Sequence, residues 1–214
     1  MAERMKWYAV WLSVAMVGIF VLQLVVPGLT EVFVLNGEVG NGEIWRLVSA
    51  VFLHGGLGHL VYNLFALLLF GGILESQIGS RKFLWVFLVT GVLANIFSVG
   101  FYPSSLGASG AIFGIIGALV VLRPGMTVWA FGMPMPMLLA GVLWAGGDVL
   151  GAVAFFSGRP ISNTGNLAHL SGMFFGILGG FWFLREKRVE RARKNVSVRI
   201  DERSMRRWED QFLG

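Results

Sequence analysis

Apolar residues occur in six long runs along the chain, and the segments between them carry most of the charges. A run of about 20 apolar residues matches the thickness of the hydrocarbon core of a bilayer. Only 14% of the residues are charged, whereas a soluble domain carries roughly 25% to cover its surface. The pattern predicts an all-α membrane protein with transmembrane helices at residues 7–26, 59–74, 83–101, 109–122, 134–156 and 167–184.

Two segments do not fit a membrane span. Residues 27–58 mix glycines and glutamates with large apolar side chains, and we expect this long loop to lie in the membrane interface. Residues 185–214 hold ten basic and six acidic residues and are predicted to form a basic cytoplasmic tail near anionic headgroups. The first apolar run is too long for a signal peptide, so we expect it to be retained as a span. The predicted membrane domain covers residues 1–184.

The Lys and Arg residues predict the orientation of the helices. If the N-terminus is cytoplasmic, 15 of the 17 basic residues lie on that side, and only Arg46 and Arg159 lie on the other. Because cytoplasmic connections carry the excess of positive charge, both termini are expected in the cytoplasm. This placement explains the net charge of +5 without nucleic acid as a partner.

Polar and ionisable residues inside a membrane are costly, so each one suggests a function. The chain has no cysteine, which excludes disulfides and thiol nucleophiles. Ser109 follows a loop and opens the fourth predicted helix between small residues. It could be a simple helix cap, or a nucleophile whose neighbouring backbone N–H groups stabilise an oxyanion.

His169 lies near the start of the sixth predicted helix, which runs in the same direction as the fourth. Ser109 and His169 should therefore lie at a similar depth. Glycines follow both residues at helical spacing and would let the two helices pack closely. Such packing would bring the imidazole within reach of the hydroxyl, as a serine nucleophile requires.

His59 and Asn63 are four residues apart and share one face of the second predicted helix. They could satisfy each other or a neighbouring helix, or they could donate hydrogen bonds to an oxyanion. A zinc site of His54, His59 and His169 is a third alternative, but the HExxH spacing of many zinc proteases is absent.

These motifs together resemble the rhomboid proteases, in particular the compact six-helix prokaryotic type. The matching features are Trp45-Arg46, His54, His59-x-x-x-Asn63, Gly107-x-Ser109-Gly110 and Ala168-His169-x-x-Gly172-x-x-x-Gly176. They occur in the order found in that family and cover most of the chain.

The resemblance implies an intramembrane serine endopeptidase that needs no metal or cofactor. Ser109 would be the nucleophile and His169 the general base of a dyad that forms an acyl-enzyme. His59, Asn63 and a backbone N–H near Gly107 would contribute to the oxyanion hole, with the N–H of Ser109. The expected substrates are single-span membrane proteins, and the expected location is a prokaryotic cell membrane with the chain crossing it several times.

Four further residues follow from the same resemblance. His54 and Glu75 are expected to have structural roles. Phe113 replaces the tyrosine that many relatives pack against the histidine, and its ring can still stack on the imidazole. Asp148, in the fifth predicted helix, could orient the histidine as in a triad, but we expect it nearer the outer mouth because the family uses a dyad.

Two other classes of function compete with the protease. A transporter would use the polar groups as a pathway, although the sequence shows no inverted repeat or paired Gly/Pro breaks. A non-catalytic rhomboid-like binding protein would have lost the serine or the histidine, and this chain retains both.

Overall fold

The computed structural model describes residues 5–159 and 165–212, and Arg4, which was counted for the orientation, lies outside them. The helices in these ranges are α1 (Tyr8–Val25), α2 (Leu29–Phe33), α3 (Arg46–Ser49), α4 (Leu57–Ala66), α5 (Gly72–Ile78), α6 (Ser80–Ser98), α7 (Ser109–Leu122), α8 (Met137–Phe156) and α9 (Asn166–Phe212). The strands are β1 (Leu35–Asn36), β2 (Ser104–Ser105), β3 (Thr127–Ala130) and β4 (Met133–Pro136). The structure confirms the predicted all-α membrane bundle.

Helices α4 and α5 form one continuous span. A π-helical segment, Leu67–Gly71, joins them, and the span of 22 residues is longer than the apolar run suggests. The span continues through Glu75, which is buried and accepts hydrogen bonds from the backbone N–H groups of Tyr8 (2.9 Å) and Ala9 (3.0 Å). Its carboxylate therefore provides acceptors for N–H groups in the first turn of α1, which have no acceptor within the helix.

Helices α7 and α9 form the centre of the bundle and run parallel, as predicted. Gly110 lies against Ala168 and Gly172, and Gly114 lies against Gly176. A Cβ atom at Gly172 or Gly176 would collide with the backbone carbonyl of the facing glycine. The small residues therefore allow direct backbone contact between the helices.

The long first loop is held together by hydrogen bonds of its own, and a strand pair attaches it to the segment before α7. Arg46 is buried, and its Nη1 donates to the carbonyl oxygens of Glu31 (2.7 Å) and Val34 (2.8 Å). Strand β1 pairs antiparallel with β2, which lies just before the loop that leads to α7. The first loop thus supports the backbone around the N-terminus of α7.

A β-hairpin that the sequence did not predict connects α7 to α8. Strands β3 and β4 pair antiparallel around Phe131 and Gly132, which both have positive φ. Val128 and Met135 are buried in the main core. The predicted fifth span begins at residue 134, whereas α8 begins at Met137 because the preceding residues belong to this hairpin.

The helix lengths fit a membrane protein with one short span. In the described part of the chain, five helical segments are long and apolar enough to cross a bilayer. Helix α7 has 14 residues and is about 21 Å long, less than the roughly 30 Å of hydrocarbon. Helix α9 has 47 residues and continues without a break into the predicted tail, so it extends beyond the bilayer.

Candidate active site

Ser109 and His169 meet at the ends of the two central helices. Ser109 is the first residue of α7, and His169 lies in the first turn of α9. The Nε2 atom of His169 is 2.9 Å from the Oγ atom of Ser109, a normal hydrogen-bond distance for a nucleophile and its base. The imidazole is buried and the serine is half-buried. The glycine contacts between α7 and α9 explain why the two side chains are so close.

Asp148 occupies the other side of the imidazole. Its Oδ1 atom is 3.0 Å from the Nδ1 atom of His169, and its side chain is buried in α8. The expectation that Asp148 lies apart from the dyad, nearer the outer mouth, is therefore wrong. Asp148 shares a face of α8 with Gly151, which packs against Asn166 at the start of α9. Because residues three apart lie on one helix face, this close approach turns the carboxylate toward His169.

Phe113 holds the face of the imidazole. Its ring is stacked on the His169 ring, with the centroids 4.3 Å apart and the planes 7° from parallel. The predicted stacking is confirmed, although phenylalanine cannot donate the hydrogen bond that a tyrosine could. His169 is therefore fixed by Ser109 and Asp148 at its edges and by Phe113 on one face.

The predicted oxyanion residues line the same cavity as Ser109. His59 and Asn63 come from α4, and Gly107 precedes α7 with a φ of +122°. A Cβ atom at Gly107 would lie 2.6 Å from the His59 ring, so only glycine leaves room for the imidazole. The N–H of Gly107 donates to the carbonyl of Ala50 (2.9 Å) and is therefore occupied by a backbone partner.

Asn63 has an amide hydrogen available for another acceptor. Among the described residues, its one hydrogen bond runs from Nδ2 to the carbonyl oxygen of His59 in the same helix (3.0 Å). The amide carries two hydrogens. The backbone N–H groups of Ser109 and Gly110, in the first turn of α7, have no carbonyl acceptor within the helix. Donors from two helices therefore surround Ser109.

The cavity is large and reaches from Ser109 and His169 to the hairpin. Its volume is about 750 Å³, and it is lined by both polar and aromatic side chains. Tyr102, Trp129, Phe131 and Trp144 line it in addition to the predicted residues. No sequence pattern placed the hairpin here, apart from Gly132 between apolar residues as a possible turn position. The site can hold water and an extended segment of peptide.

His54 lies in the loop before α4, outside the membrane-spanning helices, and its ring contacts the ring of His59. It is buried, its Nδ1 atom is 3.2 Å from the carbonyl oxygen of Phe52, and its backbone N–H donates to Gln23. Burial, together with the adjacent His59, lowers the pKa of His54 to about 4. The ring is therefore neutral at pH 7, and these contacts agree with the predicted structural role.

The three histidines do not form a common centre. His54 and His59 contact each other edge to face, with ring centroids 5.2 Å apart, while His169 is engaged by Ser109 and Asp148. In the described ranges no three His, Cys, Asp or Glu side chains are grouped as metal ligands.

Comparisons with known proteins show which family the chain resembles. The family model of the Rhomboid domain matches residues 41–186. The chain is 32% identical to the putative rhomboid protease YdcA of Bacillus subtilis over 158 residues, which cover 71% of this chain and 73% of that protein. It is 31% identical to the rhomboid protease GlpG of Haemophilus influenzae over 151 residues, or 67% and 72% of the two chains.

A third relative is much longer than this chain. The rhomboid protease GluP of Bacillus subtilis is 32% identical over 148 residues, which are 69% of this chain but only 27% of that protein. The region matched by the family model, residues 41–186, contains Ser109, His169, Arg46 and all the residues that line the cavity. The chain belongs to the rhomboid family of intramembrane serine proteases.

Proposed function

We propose that the protein cleaves membrane-spanning segments of single-span proteins, with Ser109 as the nucleophile and His169 as the general base. The observation that carries this proposal is the 2.9 Å contact between His169 Nε2 and Ser109 Oγ inside a cavity within the helical bundle. A serine hydroxyl is a poor nucleophile until a base accepts its proton. A serine that only capped the helix would need no contact with an imidazole.

The reaction would proceed through an acyl-enzyme. Ser109 Oγ attacks the carbonyl carbon of the scissile bond while its proton passes to His169 Nε2. The tetrahedral intermediate collapses, and the imidazolium gives that proton to the leaving amine. Water then attacks the ester, with His169 again accepting a proton, and hydrolysis releases Ser109 with its proton restored.

The oxyanion would be stabilised by donors from two helices. The Asn63 amide, the His59 ring and the backbone N–H of Ser109 border the cavity around the serine hydroxyl. Donors held in place before the reaction stabilise negative charge without having to reorganise. Gly107 would serve by making space for the His59 ring rather than by donating, because its own N–H is bonded to Ala50.

The substrate would reach the cavity between the second and fifth spans. Phe70, in the π-helical segment, contacts Trp144 of α8 edge to face, with centroids 5.7 Å apart. Both rings line the cavity that contains Ser109. A transmembrane segment would have to part these rings and unwind locally, so small or helix-breaking residues near its outer end would favour cleavage.

The orientation proposed from the charges places both termini in the cytoplasm of a prokaryotic cell. Because α7 is shorter than the bilayer and begins at Ser109, the serine would lie below the outer surface of the membrane. The dyad would then cut near the outer end of a substrate helix. A tag at either terminus should be protected in right-side-out vesicles, and one near Ser157 should be accessible.

Cleavage in liposomes tests the proposal. The purified full chain is mixed with a panel of single-span substrates, and the products are mapped by mass spectrometry. We expect cleavage within or beside the substrate span by the wild type and none by Ser109→Ala or His169→Ala. Ser13→Ala is a matched control, because Ser13 is a buried serine that bonds only within α1 among the described residues. Cleavage by Ser109→Ala at the wild-type rate would refute the mechanism.

A further inference from the structure

Asp148 is a buried acid whose surroundings are unusual. Its Oδ1 atom contacts His169 Nδ1, and its Oδ2 atom is buried without a hydrogen-bond partner among the described residues. A carboxylate removed from water is costly unless it is paired and hydrogen-bonded. If Asp148 served only to join two helices, a neutral side chain would do so at a lower cost. The buried carboxylate therefore needs an explanation beyond packing.

We infer that Asp148 is a positioning residue for His169, so that it extends the proposed Ser109–His169 pair to a triad by orienting the imidazole. The inference rests on the proposed function, because it assigns a role within the same reaction. Asp148 and Ser109 contact the two nitrogens of one ring, Asp148 at Nδ1 and Ser109 at Nε2. The three residues come from three different helices, α8, α9 and α7.

The first role of the carboxylate is to select the tautomer of the imidazole. A carboxylate can only accept a hydrogen bond, so the Nδ1 atom that faces it must carry hydrogen. The Nε2 atom is then free to accept the proton of Ser109. Phe113 stacks on the ring face but has no polar group that could make this selection.

The second role appears as the reaction proceeds. When His169 accepts the serine proton, the ring becomes positively charged beside a carboxylate that has no other described partner. The attraction between the two charges is stronger in the transition state than in the resting enzyme, which is the condition for accelerating a step. Burial strengthens this attraction because water does not screen it.

Glu75 provides a matched control. It is also a buried carboxylate in a membrane helix, but it accepts from two backbone N–H groups and from the hydroxyl of Ser80 (2.6 Å), and none of the catalytic side chains contacts it. Asp148→Asn and Glu75→Gln both replace a buried acid by an amide of nearly the same shape. They differ in what faced the lost charge, which is the imidazole of His169 for Asp148 and neutral N–H and O–H donors for Glu75.

The test measures kcat, KM and thermal stability of both variants in liposomes with one cleaved substrate. We expect Asp148→Asn to lower kcat by on the order of 10²–10⁴-fold, as loss of the orienting acid does in serine proteases, with KM changed less than about threefold. Glu75→Gln should lower the melting temperature and leave kcat of the folded fraction close to that of the wild type.

Two results would overturn the triad. One is a folded Asp148→Asn protein with kcat within about threefold of the wild type. The other is a fall in kcat in both Asp148→Asn and Glu75→Gln that is in proportion to the fall in melting temperature of each variant. If the triad fails while Ser109→Ala remains inactive, the proposed dyad still stands. If Ser109→Ala cleaves normally, the proposed function itself fails.

A second pair of variants covers the case in which Asp148→Asn does not fold. Asp148→Glu and Asp148→Gln have the same length and differ in charge alone. We expect Ser109 to react with a fluorophosphonate at least ~10-fold faster in the Glu variant, because only that variant can select the reactive tautomer. Equal rates in the two variants would contradict the inference.

Discussion

Among the described residues, the bundle has two buried carboxylates, Glu75 and Asp148, and their environments differ. Glu75 receives hydrogen bonds from Tyr8, Ala9 and Ser80, and each of these donors is neutral and permanent. Asp148 has a single described partner, the imidazole of His169, whose charge changes when it accepts a proton. One acid completes the end of a helix, and the other contacts a histidine that lines the cavity where bonds would break.

The hydrogen-bond partners of an acid in a membrane helix indicate whether it has a structural or a catalytic role. A carboxylate that is surrounded by backbone donors lowers the cost of a helix end and needs no catalytic role. A carboxylate with one titratable partner and one unsatisfied oxygen keeps a cost that the fold alone does not offset. Function is therefore better judged from the partners of such a residue than from its burial.

The largest expected effect concerns Asp148 and Ser109 together. If both act in one unit, the double variant Ser109→Ala/Asp148→Asn should be no slower than Ser109→Ala alone. Sensitive cleavage assays on the two single variants and the double variant would measure this. A double variant that loses a further factor comparable to that of Asp148→Asn would show that the acid acts independently of the serine.

The next effect concerns the oxyanion hole. Asn63→Ala should lower kcat by on the order of 10²-fold, or about 3 kcal/mol, with little change in KM. Its described hydrogen bond stays within α4, so the melting temperature should change little. His59→Ala should behave in the same way if both donors serve one oxygen.

A second buried asparagine is the control for that measurement. Asn95 donates from α6 to the carbonyl of Leu47 in the first loop (2.8 Å), so Asn95→Ala should cost stability, on the order of 1 kcal/mol, and spare kcat. Normal kcat in Asn63→Ala with a lowered melting temperature would make Asn63 a structural residue.

Glu75→Gln has a smaller effect, and on stability alone. The amide offers hydrogens where the carboxylate accepted them, so at least one N–H group at the start of α1 would lose its acceptor. We expect a loss of about 1–3 kcal/mol in the free energy of unfolding. Chemical denaturation in mild detergent would measure it. A stable variant with reduced kcat would reverse the assignment of the two acids.

The smallest effect comes from His54 and depends on pH. Its pKa is about 4 in the folded protein and near 6.5 in an unfolded chain. The unfolded state therefore binds a proton first on acidification, so the contribution of His54 is complete above about pH 6.5 and is lost as the pH falls to about 4. Melting temperatures of the wild type and His54→Gln should converge over that interval. If the two plots of melting temperature against pH stay parallel, His54 is not the source of the acid-dependent loss of stability.

Much of this architecture could be predicted because membrane helices leave local signals. Apolar runs located the spans, and the glycines after Ser109 and His169 indicated the parallel contact of α7 and α9. Phe113 was expected to stack on His169 because its position matched the family pattern. For the spans and the α7–α9 contact, the sequence spacing itself determines which atoms meet.

The features that were missed depend on contacts between distant segments. Helix α8 is apolar on all sides, so periodicity alone could not show which face Asp148 occupies. The spacing Asp148-x-x-Gly151 was the available signal, since Gly151 marks the close approach to α9. The N–H of Gly107 is engaged by Ala50 across two loops, and no local pattern predicts such a bond.

The most direct test of the central claim is labelling of the full chain in liposomes with a fluorophosphonate, followed by mass spectrometry of the adduct. We expect a single adduct, on Ser109, that forms in the wild type and is lost in both Ser109→Ala and His169→Ala. An adduct on another residue, or equal labelling of the His169→Ala protein, would contradict the central claim, because Ser109 would then not be a nucleophile activated by His169.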